Sequence, residues 1–286
     1  MIARNSLSLI VVFTILLGVK AQAQDTNPNG APIKPLWELG VAAGGTYSPD
    51  YPAADKNSLH GLALPYAIYR GDLLRLGKDS IAKGVFIDND YIELNVSLAA
   101  SFNANSSDNN ARRGMPDLDY LGEIGPQLKI KLGELYGGRT ELQLPVRAVF
   151  STDLSRVDHR GYLFNPRFYY ERKNIFNSSI DMDSSIGSSF ATKKLHEYYY
   201  RVEPQFATAT RPAYEAGGGY LGSKITLGLS YGITDRIWIY FGGQVGYYGG
   251  AANEDSPLFR QKVNSSIHVA FTWSIFQSDT RVISNW

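Results

Sequence analysis

Apolar and polar residues alternate along several segments of the chain. In YIELNVSLAA every second residue from Ile92 to Leu98 is apolar, and the residues between them are polar. The same alternation recurs in QLKIKL, ELQLPVRAVF, KITLGLSYG, RIWIYFGGQVGYY and SIHVAFTWSIF. A period of two predicts β-strands whose two faces meet different surroundings, and most of these segments run for about ten residues.

Two all-β architectures bury one face of many such strands, a soluble sandwich and a transmembrane barrel. The predicted polar faces mix isolated charges with Gly, Ser, Thr, Asn and Gln, which suits a crowded barrel interior better than the open face of a sandwich. Aromatic girdles of a membrane barrel would contain the tyrosines near predicted strand ends, namely Tyr69, Tyr91, Tyr162, Tyr231 and Tyr247. The pattern therefore predicts an all-β fold, a transmembrane antiparallel β-barrel.

The number of strands follows from the turn residues between the segments. Candidate strands begin near Leu36, Leu59, Asp72, Ile81, Tyr91, Asp119, Arg139, Gly161, Ser178, Glu197, Gly218, Asp235 and Val263. These are thirteen, whereas bacterial single-chain barrels have an even number of strands. We predict twelve, with LLRLG and IAKGVF as one interrupted strand, and ten as the alternative if the region around Tyr198 is a loop. Pro145 and Pro166 fall inside predicted strands and call for bulges.

The first residues follow the plan of a secretory signal peptide. Arg4 precedes the apolar run LSLIVVFTILLG, and Ala21-Gln22-Ala23 supplies a small-x-small cleavage site. The run has about 12 residues, fewer than the roughly 20 that a membrane-spanning helix needs. We predict cleavage after Ala23, with an uncleaved signal anchor as the alternative.

The predicted organisation has four parts. They are a signal peptide (residues 1–23), an N-terminal periplasmic segment (24–35), an outer-membrane barrel (36–276) and a C-terminal extension (277–286). A barrel-assembly signal normally ends on an aromatic residue at the C-terminus. Either Trp286 supplies that residue, or the signal lies near Phe276.

Composition and motifs argue against several kinds of chemistry. The chain has no cysteine, which excludes disulfides and thiol catalysis. Removing residues 1–23 takes away Arg4 and Lys20, so the formal charge changes from +1 to −1, a balance that gives no reason to expect nucleic acid. There is no G-x-S-x-G elbow, and the four histidines lack metal-ligand spacing. On a strand, His196 and Glu197 would point to opposite faces. We expect no enzyme activity, no cofactor and no metal.

Charged residues of both signs lie on the predicted polar faces. They are Glu93, Lys129, Lys131, Glu141, Arg147, Arg167, Glu171 and Lys224. A strongly selective channel uses rings of one sign. Mixed charges favour a neutralised network that fills the barrel, and a selective pore is the alternative.

The stretch ATATRPAYEAGGGYLG places Gly217, Gly218 and Gly219 behind Arg211 and Glu215. The glycines lack G-x-G-x-x-G spacing and open no predicted helix, so the stretch does not indicate a phosphate site. We expect a structural corner at which the chain enters the next strand. The arginine and the glutamate would pair with each other or with the barrel rim.

Six segments, in chain order, resemble the MipA/OmpV family, the MltA-interacting proteins of Gram-negative outer membranes. They are SPDYPAAD, LPYAIYRGD, DNNARRGMPDLD, FNPRF, ATATRPAYEAGGGY and DSPL. The resemblance covers roughly residues 37–276 and implies a barrel in outer-membrane lipid. In the name-giving member the barrel is a scaffold that joins a murein hydrolase, a lytic transglycosylase, to a murein synthase, a penicillin-binding protein. A small-solute channel and a surface adhesin or antigen are the alternatives.

The candidate partner-contact loop is DNNARRGMPDLD. It brings opposite charges together on a loop that is long for a barrel turn, and loops carry the contacts of a scaffold. The residues concerned are Arg112, Arg113, Asp117 and Asp119. A self-paired, solvated loop is the alternative. Counted back through twelve strands from a periplasmic C-terminus the loop faces the periplasm, and counted through thirteen from the N-terminus it faces outward.

Overall fold

The computed structural model describes residues 33–70, 74–77 and 80–283. The predicted signal peptide and Trp286 lie outside these residues. Among the residues described, no helix is long and apolar enough to cross a membrane. Secondary structure in this part of the chain is mostly β-strand.

The elements follow each other as a series of antiparallel hairpins. They are β1 (Ile33–Pro35), β2 (Trp37–Pro49), β3 (Asn57–Arg70), β4 (Leu74–Gly77), β5 (Ser80–Asp88), β6 (Ile92–Ser101), β7 (Tyr120–Leu135), β8 (Gly138–Thr152), β9 (Val157–Phe164), β10 (Arg167–Arg172), β11 (Ile180–Ala191), α1 (Lys193–Tyr200), β12 (Gly219–Thr234), β13 (Ile237–Tyr247), β14 (Val263–Gln277) and β15 (Arg281–Ile283). Short 3₁₀ turns lie at Ser106–Asp108, Ile175–Asn177 and Pro204–Phe206.

The strands β2 to β14 close into a barrel. Except for β9 and β10, which do not pair with each other, each strand pairs with its neighbour in sequence, and β14 pairs with β2 to complete the circle. β9 and β10 share one position, because β8 pairs with both of them and so does β11. The 13 strands of the sheet therefore occupy twelve positions, which confirms the predicted number. The break between β9 and β10 falls at Pro166, which cannot donate to the ladder.

The barrel is apolar outside and polar inside. Outward side chains such as Ile225, Phe241 and Val269 are more than half exposed, at 58%, 55% and 52%. Inward side chains such as Glu93 and Gln143 are buried. This arrangement is the reverse of a soluble core, and it fits a barrel whose outer surface contacts lipid.

Two of the predicted strands are different in the structure. LLRLG and IAKGVF do not form one interrupted strand, since β4 and β5 pair antiparallel as a hairpin and occupy separate positions. The strand predicted from Glu197 is wrong, because Lys193–Tyr200 form the helix α1. The two errors cancel in the strand number but not in the direction of the chain.

Both ends of the described chain lie at one end of the barrel. β1 pairs with β15 there as a two-stranded ribbon, and the backbone nitrogen of Leu36 donates to Thr280 at 2.8 Å. We call this the terminal end. Most turns described at this end are short, for example Tyr136-Gly137 between β7 and β8, whereas the turn between β10 and β11 spans residues 173–179.

A charge placed on the outer face should destabilise the barrel more than the same charge placed inside. Leu227 lies near the middle of β12 and faces outward, whereas its neighbour Thr226 lines a cavity of the lumen. We expect Leu227→Arg to cost about 2 to 4 kcal/mol, as for an arginine facing the middle of the bilayer, and Thr226→Arg to cost much less. Equilibrium unfolding in urea from lipid vesicles measures both. Equal losses would contradict the assignment of the two faces.

Candidate functional site

Four long loops meet at the end of the barrel opposite the terminal end, and we call them the cap. They span residues 50–56, 102–119, 192–218 and 248–262. Each loop contributes to one buried cluster, which includes Tyr51, Ala54, Ala104, Leu118, Leu195, Tyr200, Val202, Ala216 and Leu258. The cap therefore covers this end of the lumen as a packed unit.

Two buried tyrosines join the loops of the cap. The hydroxyl of Tyr51 donates to the carbonyl of Leu258 at 2.8 Å, and that of Tyr200 donates to Pro52 at 2.9 Å. Their rings meet edge to face, with centroids 6.4 Å apart. Burial raises the pKa of both hydroxyls well above the ordinary value. Both therefore stay neutral and act as hydrogen-bond donors.

Two buried arginines connect the second and third loops of the cap by hydrogen bonds. Arg112, in the second loop, donates to the carbonyl of Tyr199 in the third at 3.2 Å. Arg211, in the third loop, donates back to Ala111 and Arg113 at 2.9 and 3.0 Å. Leaving a buried guanidinium without acceptors, or these carbonyls without a donor, would reduce the stability of the cap. Of the two expected pairings, the one between Arg211 and Glu215 is not formed, because the glutamate pairs with Arg201.

The three glycines form the corner that leads into β12, and Asn253 holds it. The amide of Asn253 donates to the carbonyl of Gly217 at 2.8 Å and accepts from its nitrogen at 2.8 Å. The same amide donates to Nδ1 of His196 at 2.7 Å, and Nε2 of the histidine donates to Gly219 at 3.1 Å. His196 is therefore a buried structural group on α1 and does not lie on a strand.

The four residues of the predicted contact loop have separate local partners in the cap. Arg112 is buried at 4% exposure, whereas Arg113 is exposed and donates to Asn110. Asp117 accepts from the backbone nitrogen of Ser106 at 2.7 Å. Asp119 lies 4.0 Å from the guanidinium of Arg160. Whether the loop also contacts a partner stays a prediction.

The loop lies at the cap end because seven strand positions follow it before the chain reaches β15. An odd number of crossings leaves it at the end opposite both termini. The sequence predicts eight strands between this loop and the C-terminus, because it counts the residues of α1 as a strand. The sequence left two possible sides for this loop, and the structure places it at the end opposite the termini.

A charge network covers the lumen wall formed by β6, β7, β8 and β10. Nζ of Lys129 lies 3.8 Å from a carboxylate oxygen of Glu93 and 3.8 Å from one of Glu141. Nearby, Arg147 pairs with Glu123 at 3.1 Å. These side chains are at most 13% exposed, and a charge buried to this degree is costly unless it is paired. The network is mixed in sign, as predicted, but it lines a wall and does not fill the interior.

Two cavities lie in the terminal half of the lumen, and the smaller one borders this network. One, of about 280 Å³, is lined on the β10 and β11 side by Arg167, Glu171 and Asp183 among others. The other, of about 590 Å³, lies against β1, β2, β3 and β13. Tyr240 lines both of them. Space for a ligand is therefore found toward the terminal end.

Three successive turns at the terminal end each present an exposed aromatic side chain, and we call these the aromatic tips. Tyr91 precedes β6, Tyr136 lies between β7 and β8, and Phe176 lies between β10 and β11. Their exposures are 78%, 83% and 89%. Because two strands separate successive turns, the tips are about 10 Å apart along the rim. Tyr91 is thus more exposed than expected for a girdle residue packed on the barrel wall.

The closed barrel, its apolar outer belt and its polar lumen define a transmembrane β-barrel of the outer-membrane type. The chain belongs to the family described as MltA-interacting protein MipA, whose model matches residues 41–275. The resemblance seen in the sequence is thereby confirmed. No curated protein matches the chain in sequence.

Several solved outer-membrane proteins resemble the chain weakly. A bacterial polysaccharide outer membrane secretin shares 8% identity over 84% of this chain and 99% of its own, with a TM-score of 0.41. The NanC porin shares 11% over 83% and 100%, with a TM-score of 0.37. A Pseudomonas aeruginosa FadL homologue shares 7% over 85% and 91%, with a TM-score of 0.32. Similarities this low identify no function.

Adding a methyl group at Gly218 should disturb the cap more than adding one at Gly217. A β-carbon at Gly218 would lie 2.7 Å from the backbone nitrogen of Lys193, whereas one at Gly217 would have no atom within 4 Å. We expect Gly218→Ala to cost about 1 to 3 kcal/mol, as overpacking does, and Gly217→Ala to be close to wild type. Rates of limited proteolysis in the cap measure the difference. Equal rates in the two variants would contradict the corner.

His196 should make the cap sensitive to acid. Burial lowers its pKa below the ordinary value of 6.5, and Nδ1 is occupied by the amide of Asn253. The unfolded state therefore holds the proton more tightly, so cap stability should be complete above about pH 6.5 and fall progressively below it. Protease resistance measured from about pH 7.5 down to pH 5 should show this loss. His196→Gln should remove the pH dependence, and an unchanged profile in that variant would refute the assignment.

Proposed function

We propose that the protein is a non-enzymatic scaffold in the outer membrane. It would hold murein-remodelling enzymes, a lytic transglycosylase and a penicillin-binding protein, at its periplasmic side. The family description, an MltA-interacting protein, supports such a partner. The observation that carries the proposal is the set of aromatic tips on the terminal rim.

Two of the aromatic tips occur at backbone positions that disfavour aromatic residues. Tyr136 and Gly137 form a two-residue hairpin loop with φ of 49° and 74°, a conformation that favours asparagine or glycine. Phe176 has φ of 56° within the turn after β10. Such strain costs on the order of 1 to 3 kcal/mol at each site. Exposed aromatics retained at this cost suit a partner surface, where aromatic side chains supply much of the binding energy.

The position of the aromatic tips fits a periplasmic partner. Bacterial barrels have short periplasmic turns and longer extracellular loops. The terminal end has the short turns, and the cap contains the long loops. On this basis the terminal rim faces the periplasm, where murein is remodelled.

The channel and adhesin readings have weaker support. The packed cap covers the outer end of the lumen, which argues against free diffusion of solutes. An adhesin would use the outer surface of the cap, where Arg113 and Asp117 are the exposed members of the four loop residues. Contacts through Arg112, Asp117 or Asp119 compete with bonds that these residues already make in the cap.

Removing the aromatic tips should abolish capture of the murein enzymes without harming the barrel. The variant combines Tyr91→Ser, Tyr136→Asn and Phe176→Asn, since asparagine tolerates a positive φ better than an aromatic residue does. We expect co-purification of a lytic transglycosylase or a penicillin-binding protein from detergent extracts to fall at least about tenfold, as for loss of interface hot spots.

Arg113→Glu is the matched control at the cap end, and it should leave capture unchanged. Heat-modifiable migration on gels verifies that each variant is folded. Full capture by the triple variant would refute the role of the tips. Capture that is lost in Arg113→Glu would instead move the contact surface to the cap loop.

A further inference from the structure

The strand β3 carries apolar side chains on its lumen face. Tyr66 points inward, since its hydroxyl lies 2.6 Å from that of Ser274 at the larger cavity. Because side chains alternate along a strand, Leu64 and Leu62 share the face of Tyr66. They are 52% and 51% exposed. The interior of an outer-membrane barrel is normally polar, so two exposed leucines inside this barrel indicate a local site for apolar material.

The residues beside these leucines are small and extend the apolar surface. In the register of the sheet, Leu62 lies opposite Gly44 and Leu64 lies opposite Ala42. Gly44 in turn lies opposite Ala270 of β14. We call these five residues the apolar trough. Ala42 and Ala270 also line the larger cavity, so the apolar trough and that cavity are continuous.

The edge of β3 beside the apolar trough is open over most of its length. β4 pairs with Tyr69 and Arg70 at the terminal end of β3. Among the strands that the structure describes, none pairs with the same edge along residues 57–68. Unpaired backbone is tolerated at membrane depth only where it is buried in protein or lines a water-filled space. The open edge therefore indicates a gap in the barrel wall that joins the lumen to its surroundings.

The gap has a definite upper limit and borders the lipid-facing surface. Toward the cap, the ring of His60 stacks on that of Phe102, which follows β6, with centroids 4.8 Å apart. On the outer face of β3, Leu59 and Ala63 are exposed. From Leu62 the strand runs about 20 Å to residue 68, which exceeds the roughly 15 Å that one leaflet contributes to the hydrocarbon core. The apolar trough can therefore hold a chain-shaped molecule that lies along β3.

We propose that the apolar trough binds an acyl chain of a lipid from the surrounding bilayer, which enters sideways past the open edge of β3. A bilayer lipid is the favoured occupant because the gap borders the face of the barrel that already contacts lipid. Binding is favourable because the chain covers the leucine surfaces that otherwise meet water in the lumen. This proposal does not depend on the scaffold function, because the apolar trough lies inside the barrel and the aromatic tips lie on its rim.

Photolabelling of the full-length protein in vesicles of palmitoyl-oleoyl-phosphatidylcholine tests the proposal. The probe is a phosphatidylcholine with a diazirine in one acyl chain, and mass spectrometry of peptides locates the residues that it modifies. We expect adducts in the apolar trough, at Ala42 and Ala270 among others. We expect none at Thr226 and Ser230, which line the smaller cavity on β12 and lie away from the gap.

The double variant Leu62→Asn and Leu64→Asn should lower the labelling of Ala42 and Ala270 at least about tenfold, because two apolar contacts are lost. Leu59→Asn is the matched control, since this residue lies on the same strand and faces lipid. It should leave that labelling unchanged. Gel migration before and after heating shows that each variant is folded, so a lost signal reports on the site.

Three results would each overturn the proposal. They are no adduct in the apolar trough, equal adducts at Thr226, and full labelling of Ala42 and Ala270 in the double variant. Labelling of the apolar trough by a diazirine derivative of palmitate but not by the phospholipid would refute the bilayer lipid as the occupant and favour a free fatty acid. Capture of murein enzymes, measured separately, tests the scaffold function alone.

Discussion

Lipid offers no hydrogen-bond partner to a backbone, and this constraint determines the rest of the molecule. Every strand must pair on both edges, so the sheet has to close, and it does so where β14 meets β2. Closure gives each strand one face toward lipid and one toward the lumen. The strict alternation of apolar and polar residues is the sequence form of that requirement. Polar groups inside then need partners of their own, which explains why Lys129 lies between two glutamates.

A closed barrel of this size has an interior that is open at both ends unless loops cover them, and the two ends of this barrel differ. At the cap end, long loops pack through apolar side chains and are clasped by buried Arg112 and Arg211. At the terminal end, turns are short, cavities remain and aromatic side chains are exposed. Four of the six segments that resemble the family, SPDYPAAD, DNNARRGMPDLD, ATATRPAYEAGGGY and DSPL, lie in or border the cap. Most of the segments that resemble the family therefore belong to the cap.

The period-two pattern was enough to predict the class of fold, because alternation is imposed residue by residue, whereas the number twelve is right because two errors cancel. It failed around Glu197, where it predicts a strand and the chain forms the helix KKLHEYYY. There Leu195 and Tyr199, like His196 and Tyr200, are four residues apart, a spacing that places each pair on one face of a helix. This helical spacing is present in the sequence, but it extends over only 8 residues. Counting the segment as a strand adds one crossing of the membrane, and one crossing too many reverses the predicted side of every loop before it. The hydrogen bonds of Arg112 and Arg211 between the cap loops, and the lining of the larger cavity, depend on contacts between residues far apart in sequence. No local sequence pattern contains such contacts.

The aromatic tips show how a departure from local preference can point to function. Nothing in the barrel requires an aromatic side chain at Tyr136, because the turn itself would be more stable with asparagine and the ring packs against little. The buried tyrosines of the cap are different, since each of Tyr51 and Tyr200 both packs and donates to a carbonyl. Residues of one kind therefore stabilise the fold at one end and reduce its stability at the other. Such a cost makes sense if the missing contacts are supplied from outside the chain, and for this reason we propose the terminal rim, rather than the cap, as the surface that meets a partner.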